Sequence, residues 1–302
     1  MSDRATTDDE RLLITGAGGY LAHRLVPMAA ERAPTVCVSR SEPSADDLGG
    51  AAWCQLDLLD ADAVLAMVAD VAPTAIVSAA AANPGQGESW AINTDGARNL
   101  ATAAAAVGAR LVHVSTDIVH RGGAGPYADD AEPDPINDYG RTKAEGERIV
   151  SEMCPGAAVV RTSLIYGLDR IDRGTESFVN RLHALGDGET MSLWADAIRH
   201  PVWIDAFSEG LLRLALDLPD VAGSLNLAGE QAVSRADFGR AMLAWWGEST
   251  DRCVDGSAAD VPGQALDLSL RFDRARELGL ALPGVDEVLG RRSRSQQLKV
   301  SG

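Results

Sequence analysis

The sequence lacks a hydrophobic segment long enough to span a membrane. Its longest apolar run, around Ala75–Ala82, is far shorter than the roughly 20 residues that a transmembrane helix needs. The first residues, Met1–Arg11, are polar and acidic, so no apolar signal sequence is indicated. Basic residues are scarce too, since 27 Lys and Arg stand against 44 Asp and Glu, a formal net charge of -17. This balance argues against binding to nucleic acid or to an anionic membrane, and we expect a cytoplasmic protein.

Cysteine is also rare, and none of the four cysteines forms a CxxC pair. Scattered cysteines of this kind are typical of small core residues in a reducing compartment. The five histidines show neither HxxxH nor HExxH spacing, so we predict no metal site. A GxSxG motif is missing as well, which argues against an α/β-hydrolase.

Short apolar strands alternate with helices through the first half of the chain. The predicted strands are Arg11–Thr15, Thr35–Ser39, Ala52–Gln55, Thr74–Ser78, Arg110–Ser115 and Ala157–Arg161. The predicted helices between them are Tyr20–Arg32, Ala61–Val71, Glu88–Val107 and Asn137–Met153. This alternation indicates parallel βαβ units, and therefore an α/β fold with a doubly wound parallel sheet of the Rossmann type.

The pattern becomes less regular after Gly167. The predicted elements there are a helix at Gly174–Leu185, strands at Thr190–Trp194 and Arg199–Ile204, a helix at Asp205–Leu216 capped by Asp205, a strand at Ser224–Leu227 and a helix that starts at Ser234 and runs to Trp246. We expect residues 1–165, with 200–228 returning, to form a dinucleotide-binding domain. Residues 166–199 and 229–290 would form a smaller C-terminal substrate lobe over the carboxyl edge of the sheet, where ligands bind in such folds. Residues 1–10 and 291–302 are expected to be disordered.

A glycine-rich turn follows the first predicted strand. The run from Thr15 to Ala22 fits GxxGxxG with Gly16, Gly19 and Ala22, the last position holding the next-smallest residue. Its place between a strand and a helix N-terminus is where a dinucleotide pyrophosphate binds. The alternative is an ordinary glycine-rich βα turn.

The end of the second strand indicates which dinucleotide is bound. Sites for NAD usually carry an acid there, whereas an arginine accommodates the 2′-phosphate of NADP. This chain has Ser39 and Arg40, so NADP (NADPH) is favoured over NAD, unless Arg40 is a solvated loop residue. Asp57 follows the third strand and is placed to meet the adenine, while Asp60 suits better as the cap of the next helix.

A third group of residues suggests acid–base chemistry. Tyr139 and Lys143 are four residues apart, so one helical face carries a phenol and an ammonium. Thr116 lies at the end of the preceding strand, and its hydroxyl can bind a carbonyl oxygen. Ser115 is an alternative to Thr116, and Asp117 is either a substrate contact or a loop cap. The lysine favours ionisation of a tyrosine whose ordinary pKa is about 10, and the tyrosine can then exchange a proton with an alkoxide.

Several of these segments together resemble a known family. They are Thr15–Ala22, Asp57, Ser78–Ala82, Asn93, Ser115–Asp117, Tyr139 with Lys143, and RTSLIYG at Arg161–Gly167. In order and spacing they are similar to the extended short-chain dehydrogenase/reductases from about residue 11 to residue 285. Within that superfamily they look most like dTDP-4-dehydrorhamnose reductase and its sugar-nucleotide-binding relatives.

The resemblance implies roles for individual residues. The cofactor contacts that it implies are Gly16, Gly19, Tyr20, Leu21, Ser39, Arg40, Asp57, Leu58, Ala79, Ala80, Ala81, Tyr139 and Lys143. Thr116, Tyr139 and Lys143 would be the catalytic set, with Asn93 either supporting the lysine or capping or orienting the long helix. The residues that would contact the substrate are Thr116, Asp117 and Arg199. Arg199 would bind a phosphate of the substrate, and the alternative is that it forms a surface salt bridge.

Two departures from the family pattern restrict the function that the resemblance implies. Leu164 stands where the rhamnose-forming reductases usually have a tryptophan in the sugar-nucleotide pocket. Ile118 stands where the dehydratase relatives carry a glutamate, which argues against a dehydratase. We therefore predict an NADP-preferring reductase of a keto group on a sugar nucleotide or similar polar metabolite. The rivals are an epimerase with tightly held NAD and a catalytically silent regulatory subunit, and a homodimer is expected because dimers are common in this family.

Overall fold

The computed structural model describes residues 10–82, 89–123, 125–170 and 173–291. The strands found there are β1 (Leu12–Thr15), β2 (Thr35–Ser39), β3 (Ala52–Gln55), β4 (Ala75–Ser78), β5 (Arg110–Thr116), β6 (Ala158–Thr162), β7 (Ile165–Tyr166), β8 (Met191–Trp194), β9 (Ile198–Arg199), β10 (Val202–Trp203), β11 (Gly223–Asn226), β12 (Val233–Ser234) and β13 (Cys253–Gly256). The predicted strands of the first half are confirmed to within a residue at each end. The expected disordered ends fall outside the described residues, except for positions 10 and 291.

The α-helices in these ranges are α1 (Ala22–Ala30), α2 (Ala61–Val71), α3 (Ser89–Ala91), α4 (Ala97–Val107), α5 (Asp138–Met153), α6 (Arg173–His183), α7 (Ile204–Leu212), α8 (Arg235–Trp245) and α9 (Asp273–Glu277). The predicted cap at Asp60 is confirmed, because its side chain accepts from the Ala63 N–H at 3.0 Å. Ser234, the predicted start of a helix, caps α8 by accepting from the Asp237 N–H at 2.9 Å. Across the described ranges, none of the helices combines the length and apolarity that a membrane span requires.

Three predicted elements differ from the structure. The long helix over Glu88–Val107 is interrupted by a π turn at Ile92–Gly96. The single strand predicted over Arg199–Ile204 is two short strands, β9 and β10, separated by Pro201, which has no N–H to donate to a sheet. The assignment of Asp205 as a helix cap is wrong, since α7 begins one residue earlier, at Ile204.

Seven strands form one sheet in the order β11-β6-β5-β4-β1-β2-β3. The registered pairs β1–β2, β1–β4, β2–β3 and β4–β5 are all parallel. Strand order reverses between β1 and β4, so this is the doubly wound α/β fold that the sequence predicts. In such sheets a ligand binds beyond the carboxyl ends of the strands at the reversal, which here are Thr15 and Ser78.

The chain divides into two compact units. The first comprises the described residues within Met1–Val119, Asp138–Arg161 and Ser208–Leu225. It contains the seven-stranded sheet, and its core packs the sheet against α2 and α4 through side chains such as Leu13 and Leu100, both at most 1% exposed.

The second unit takes the described residues within His120–Asn137, Thr162–Phe207 and Asn226–Gly302. It holds three two-stranded sheets, β7–β10, β8–β13 and β9–β12. One apolar cluster joins α6, β8 and α8, and a second joins Tyr166 and Met242 to Val285 and Val288. The proposed domain bounds stay a prediction.

Candidate active site

The glycine-rich turn lies at the reversal of strand order. Gly16 has φ +81°, and its N–H donates to the Val38 carbonyl at 2.9 Å. A Cβ atom at Gly16 would lie 2.8 Å from the backbone N and Cα of Ala80, in the loop that follows β4. Glycine is therefore required both by the backbone conformation and by the close approach of the two loops.

The rest of the predicted pyrophosphate site continues from this turn into α1. The Gly19 N–H donates to the Gly16 carbonyl at 2.8 Å, and Ala22 is the first residue of α1. Tyr20 is half-buried and Leu21 is buried. The nine-residue helix starts directly after the turn, so the positive end of its dipole lies at this edge, where it favours an anion. A glycine-rich turn at a helix N-terminus fits a dinucleotide pyrophosphate.

The alanines after β4 lie against this turn. The Ala80 N–H donates to the Thr15 hydroxyl at 3.2 Å, which ties the two strand ends together. Ala79 and Ala80 are half-buried, while Ala81 is exposed. Small side chains at these positions leave room beside the glycine turn, in keeping with the predicted cofactor contact.

We expect Gly16→Ala to lower dinucleotide affinity by more than about tenfold. The added Cβ has no room against Ala80, and the positive φ strains an L-residue by about 1–3 kcal/mol. Gly18→Ala is the matched control, because a Cβ there meets nothing within 4 Å. Titration of each variant with NADPH, followed by fluorescence, measures the effect. Equal affinities of the two variants would contradict the assignment of this turn.

The predicted adenosine end is formed by the loops after β2 and β3. The Ser39 hydroxyl donates to the Ser41 carbonyl at 2.7 Å, and Arg40 is exposed. Asp57 is exposed, and its carboxylate accepts the Leu59 N–H at 3.0 Å. This bond closes the turn after β3, and Asp57 is not the N-cap of α2. Leu58 is buried, and its carbonyl accepts from the Asn99 side chain. All of these residues belong to the first unit.

The predicted catalytic residues come from β5 and α5. Thr116 ends β5 and is 8% exposed, and its hydroxyl donates to the Asp117 carboxylate at 3.2 Å. Lys143 is 2% exposed, and its Nζ donates to the carbonyl of Val114 at 2.8 Å. Because Tyr139 lies one helical turn before Lys143, this bond brings the helical face that carries both residues to the end of β5.

Burial sets the charge state of these groups. It raises the pKa of Tyr139 to about 12, and the Asp117 carboxylate adds to that rise. Burial also lowers the pKa of Lys143 to about 8, against an opposing effect of the nearby Glu147 carboxylate. The spacing of Tyr139 and Lys143 predicts a phenolate, whereas burial and Asp117 keep the phenol protonated in the free protein. A protonated Tyr139 is suited to donate a proton.

The two hydroxyls at the end of β5 have different environments. Ser115 is 3% exposed and donates to the Glu147 carboxylate at 2.5 Å. Glu147 in turn pairs with Arg161 of β6 at 2.8 Å, and both of these side chains are at most 5% exposed. The Ser115 bond of 2.5 Å to an ion-paired carboxylate is shorter than the 3.2 Å bond of Thr116 to Asp117, so Thr116 is the better candidate to turn its hydroxyl toward a substrate carbonyl.

Asn93 lies on the π turn and joins the loop after β4 to α5. Its side-chain oxygen accepts the Ala82 N–H at 3.1 Å, and its side-chain nitrogen donates to the Ala82 carbonyl and to the Thr142 hydroxyl. A Cβ at Gly146 would lie 2.5 Å from the Asn93 carbonyl oxygen, so α5 packs directly on the turn. Asn93 thus holds the helix at the residue before Lys143, and does not cap a helix.

Three buried polar residues near this group are not predicted from the sequence. No motif indicates a role for Glu147 and Arg161, although Glu147 follows Lys143 at a spacing of four. His113 is 2% exposed, its Nδ1 lies 3.1 Å from the Ser78 hydroxyl, and burial together with Lys143 holds its pKa well below the ordinary value. His113 is therefore a neutral neighbour of the lysine.

The two remaining predicted substrate contacts are both buried. Asp117 is 2% exposed and bonds Thr116 within the first unit. Arg199 belongs to the second unit and is 4% exposed, and its guanidinium donates to the carbonyls of Ala265 and Leu266 at 2.8 and 2.7 Å. These bonds fix the loop that carries the two carbonyls, and a substrate contact by Arg199 stays a prediction. Within the described ranges, His, Cys, Asp and Glu side chains form no group of three or more that could hold a metal ion.

The sheet order, the glycine turn and the Thr-Tyr-Lys group define the class as a dinucleotide-binding α/β protein of the extended short-chain dehydrogenase/reductase type. The family model of the RmlD substrate binding domain matches residues 10–266. The chain belongs to that family, so the predicted resemblance is confirmed.

Individual relatives match the chain over most of its length. The chain is 30% identical over 297 residues to dTDP-4-dehydrorhamnose reductase of Sinorhizobium fredii. The aligned region covers 92% of this chain and 94% of the relative. It is also 32% identical over 258 residues to methionine adenosyltransferase 2 subunit beta of Xenopus tropicalis, covering 80% of this chain and 74% of that one. A crystal structure of dTDP-4-dehydrorhamnose reductase from Bacillus anthracis in complex with NADP has a TM-score of 0.76 at 26% identity, covering 93% of this chain and 96% of the other.

Proposed function

We propose that the protein is an NADP-dependent reductase of a keto group on a sugar nucleotide or a similar polar metabolite. The observation that carries the proposal is the buried bond from Lys143 to the Val114 carbonyl, which brings the face of α5 bearing Tyr139 and Lys143 to the strand end bearing Thr116. A group of this composition suits carbonyl chemistry. The similarity to named dTDP-4-dehydrorhamnose reductases and to an NADP complex supports the substrate class and the cofactor.

In this mechanism the bound nicotinamide supplies the hydride, and the chain supplies position and a proton. Thr116 binds the carbonyl oxygen. Tyr139, whose raised pKa keeps it protonated, donates its proton to the oxygen as negative charge develops there. Lys143, one helical turn further along α5, supplies positive charge that stabilises the phenolate that remains. A neutral phenol donates a proton, which is the role required for reduction of a ketone. Ile118 stands at the position where dehydratases have glutamate, which also favours a reductase over a dehydratase.

We expect kcat/KM for NADPH, which reports ionisations of the free protein, to fall as the pH rises through about 8. The Lys143 ammonium loses its proton there because burial lowers its pKa, while Tyr139 stays protonated up to about pH 12. Activity that depends on the charged lysine is therefore full below this pH and lost above it. In Lys143→Arg the maximal rate should drop, and the alkaline decline should move out of the measured range. The same decline in both proteins would exclude Lys143 as its source.

A second function is favoured by one observation, the 32% identity to a subunit named methionine adenosyltransferase 2 subunit beta. A regulatory subunit on this fold would bind the dinucleotide without turning it over. The test is a screen of keto-sugar nucleotides and small ketones with NADPH oxidation as the readout. Turnover of a keto-sugar nucleotide supports the reductase, and tight NADPH binding without turnover of any of them supports the subunit. An epimerase would instead copurify with NAD and convert its substrate without added reductant.

We also propose that the second unit binds the substrate, and that the protein is a cytoplasmic homodimer. The less regular elements after β6 support the first assignment. The four cysteines are all free thiols, as expected in a reducing compartment. A dimer is the common state in the family that the chain resembles.

A further inference from the structure

The backbone after β2 is held by two side chains of the neighbouring strand β3. The Trp53 indole N–H donates to the Ser39 hydroxyl at 3.0 Å, and that hydroxyl donates onward to the Ser41 carbonyl at 2.7 Å. The Gln55 side-chain amide donates to the Arg40 carbonyl at 2.9 Å. Ser39 and Arg40 are thus bonded directly to side chains of β3, and Ser41 is joined to them through the Ser39 hydroxyl.

The strand register explains why these two residues reach the same loop. Ser39 pairs with Gln55 in the parallel ladder, and Cys37 pairs with Trp53. Residues two apart on a strand project from the same face, so Trp53 and Gln55 lie side by side along β3. Trp53 is half-buried and Gln55 is exposed, so neither is needed to fill the main core.

These bonds fix the backbone on both sides of the Arg40 side chain. A guanidinium that must bind a phosphate loses conformational freedom on binding, and an ordered backbone lowers that loss. Ser39 occupies the position where an NAD site would have an acidic residue. Its hydroxyl accepts from the Trp53 indole and donates to the Ser41 carbonyl. The loop is therefore ordered around one arginine at the adenosine end.

We propose that Trp53 and Gln55 are positioning residues for recognition of the 2′-phosphate of NADP, because they hold Ser39–Ser41 in the conformation that presents Arg40. This inference rests on the proposed function, in which the chain uses NADPH and Arg40 meets its 2′-phosphate. Neither residue lies in the glycine turn or in the Thr-Tyr-Lys group, so their effect should be confined to discrimination between dinucleotides.

The experiment compares two ligands that differ in the 2′-phosphate alone, adenosine 2′,5′-bisphosphate and 5′-AMP, by titration calorimetry on the full chain. Gln55→Met removes the amide donor at similar length, and Trp53→Phe removes the indole N–H and keeps an aromatic ring. We expect each change to reduce the preference for the bisphosphate about threefold, and the double variant to reduce it about tenfold. The affinity for 5′-AMP and the thermal midpoint should stay as in the parent.

Two further variants separate the possible failures. Arg40→Ala should abolish the preference, and Gln264→Met, the same change in the second unit, should leave it intact. A parent without a preference overturns the assignment of NADP and the inference with it. If the parent prefers the bisphosphate and Arg40→Ala removes that preference, unchanged preference in Gln55→Met and Trp53→Phe overturns the inference alone. A parallel loss of 5′-AMP affinity would also overturn it, because the two residues would then act on general loop structure.

Discussion

Tyr139→Phe is expected to lower kcat for ketone reduction by about 10²- to 10⁴-fold, the range that a positioned proton donor contributes. The substitution removes the phenolic oxygen and keeps the aromatic ring, so the volume of the side chain changes little. Because the donor acts in the chemical step, the affinity for NADPH should stay within about twofold of the parent. Stopped-flow measurement of NADPH oxidation in a single turnover separates the chemical step from product release.

The matched control for this experiment is Tyr166→Phe. Tyr166 is 3% exposed, packs edge-on against Phe238, and has a hydroxyl with no hydrogen-bond partner among the described residues. Its burial raises the pKa of the phenol, as in Tyr139, so both tyrosines are neutral phenols. Loss of activity in Tyr139→Phe with normal activity in Tyr166→Phe supports the donor assignment. An unchanged single-turnover rate in Tyr139→Phe rules out Tyr139 as the donor.

The α/β sheet could be predicted from the sequence because each buried strand is a short apolar run between breakers. Thr35–Ser39 was predicted with its observed bounds for this reason. The π turn at Ile92–Gly96 could not be predicted, since the surrounding alanine-rich segment has an uninterrupted helical pattern. Its cause is tertiary, because Asn93 satisfies the backbone of Ala82 and bonds Thr142, 49 residues away.

The candidate site, too, could be predicted only as far as local sequence patterns determine it. The positions of Gly16, Thr116, Tyr139 and Lys143 follow from local patterns, because each lies at a strand end or on a helix face. What each polar group bonds to depends on distant residues, as Arg199 shows. Its guanidinium binds the carbonyls of Ala265 and Leu266, more than 60 residues later in the chain, and no local pattern indicates that pairing.

The buried ion pair of Glu147 and Arg161 is the second place where a large effect is expected. The guanidinium nitrogens Nε and Nη2 of Arg161 donate to the two carboxylate oxygens, with Nη2 to Oε2 at 2.8 Å. Ser115 adds a third donor to the same carboxylate, so the charge is well satisfied although both side chains are at most 5% exposed. Removing one partner of such a pair strongly destabilises the fold, whereas replacing both partners by apolar residues of similar volume changes the free energy of unfolding little.

We expect Arg161→Met to lower the free energy of unfolding by about 3–5 kcal/mol, because it leaves the Glu147 carboxylate buried without its cation. The double variant Glu147→Leu with Arg161→Met removes both charges, and its stability should return to within about 2 kcal/mol of the parent. The remaining cost there is the Ser115 hydroxyl, which loses its acceptor. Urea denaturation followed by far-UV circular dichroism measures all three proteins.

An exposed ion pair on the same helix serves as the control. Arg148 bonds Glu145 at 2.7 Å, but its side chain is 52% exposed, so Arg148→Met should leave the urea midpoint nearly unchanged. If Arg161→Met is no less stable than Arg148→Met, the buried carboxylate does not depend on its partner. If the double variant is as unstable as Arg161→Met, the loss comes from packing around the pair and not from an unpaired charge. Recovery in the double variant, with full loss in the single one, is the result that the geometry predicts.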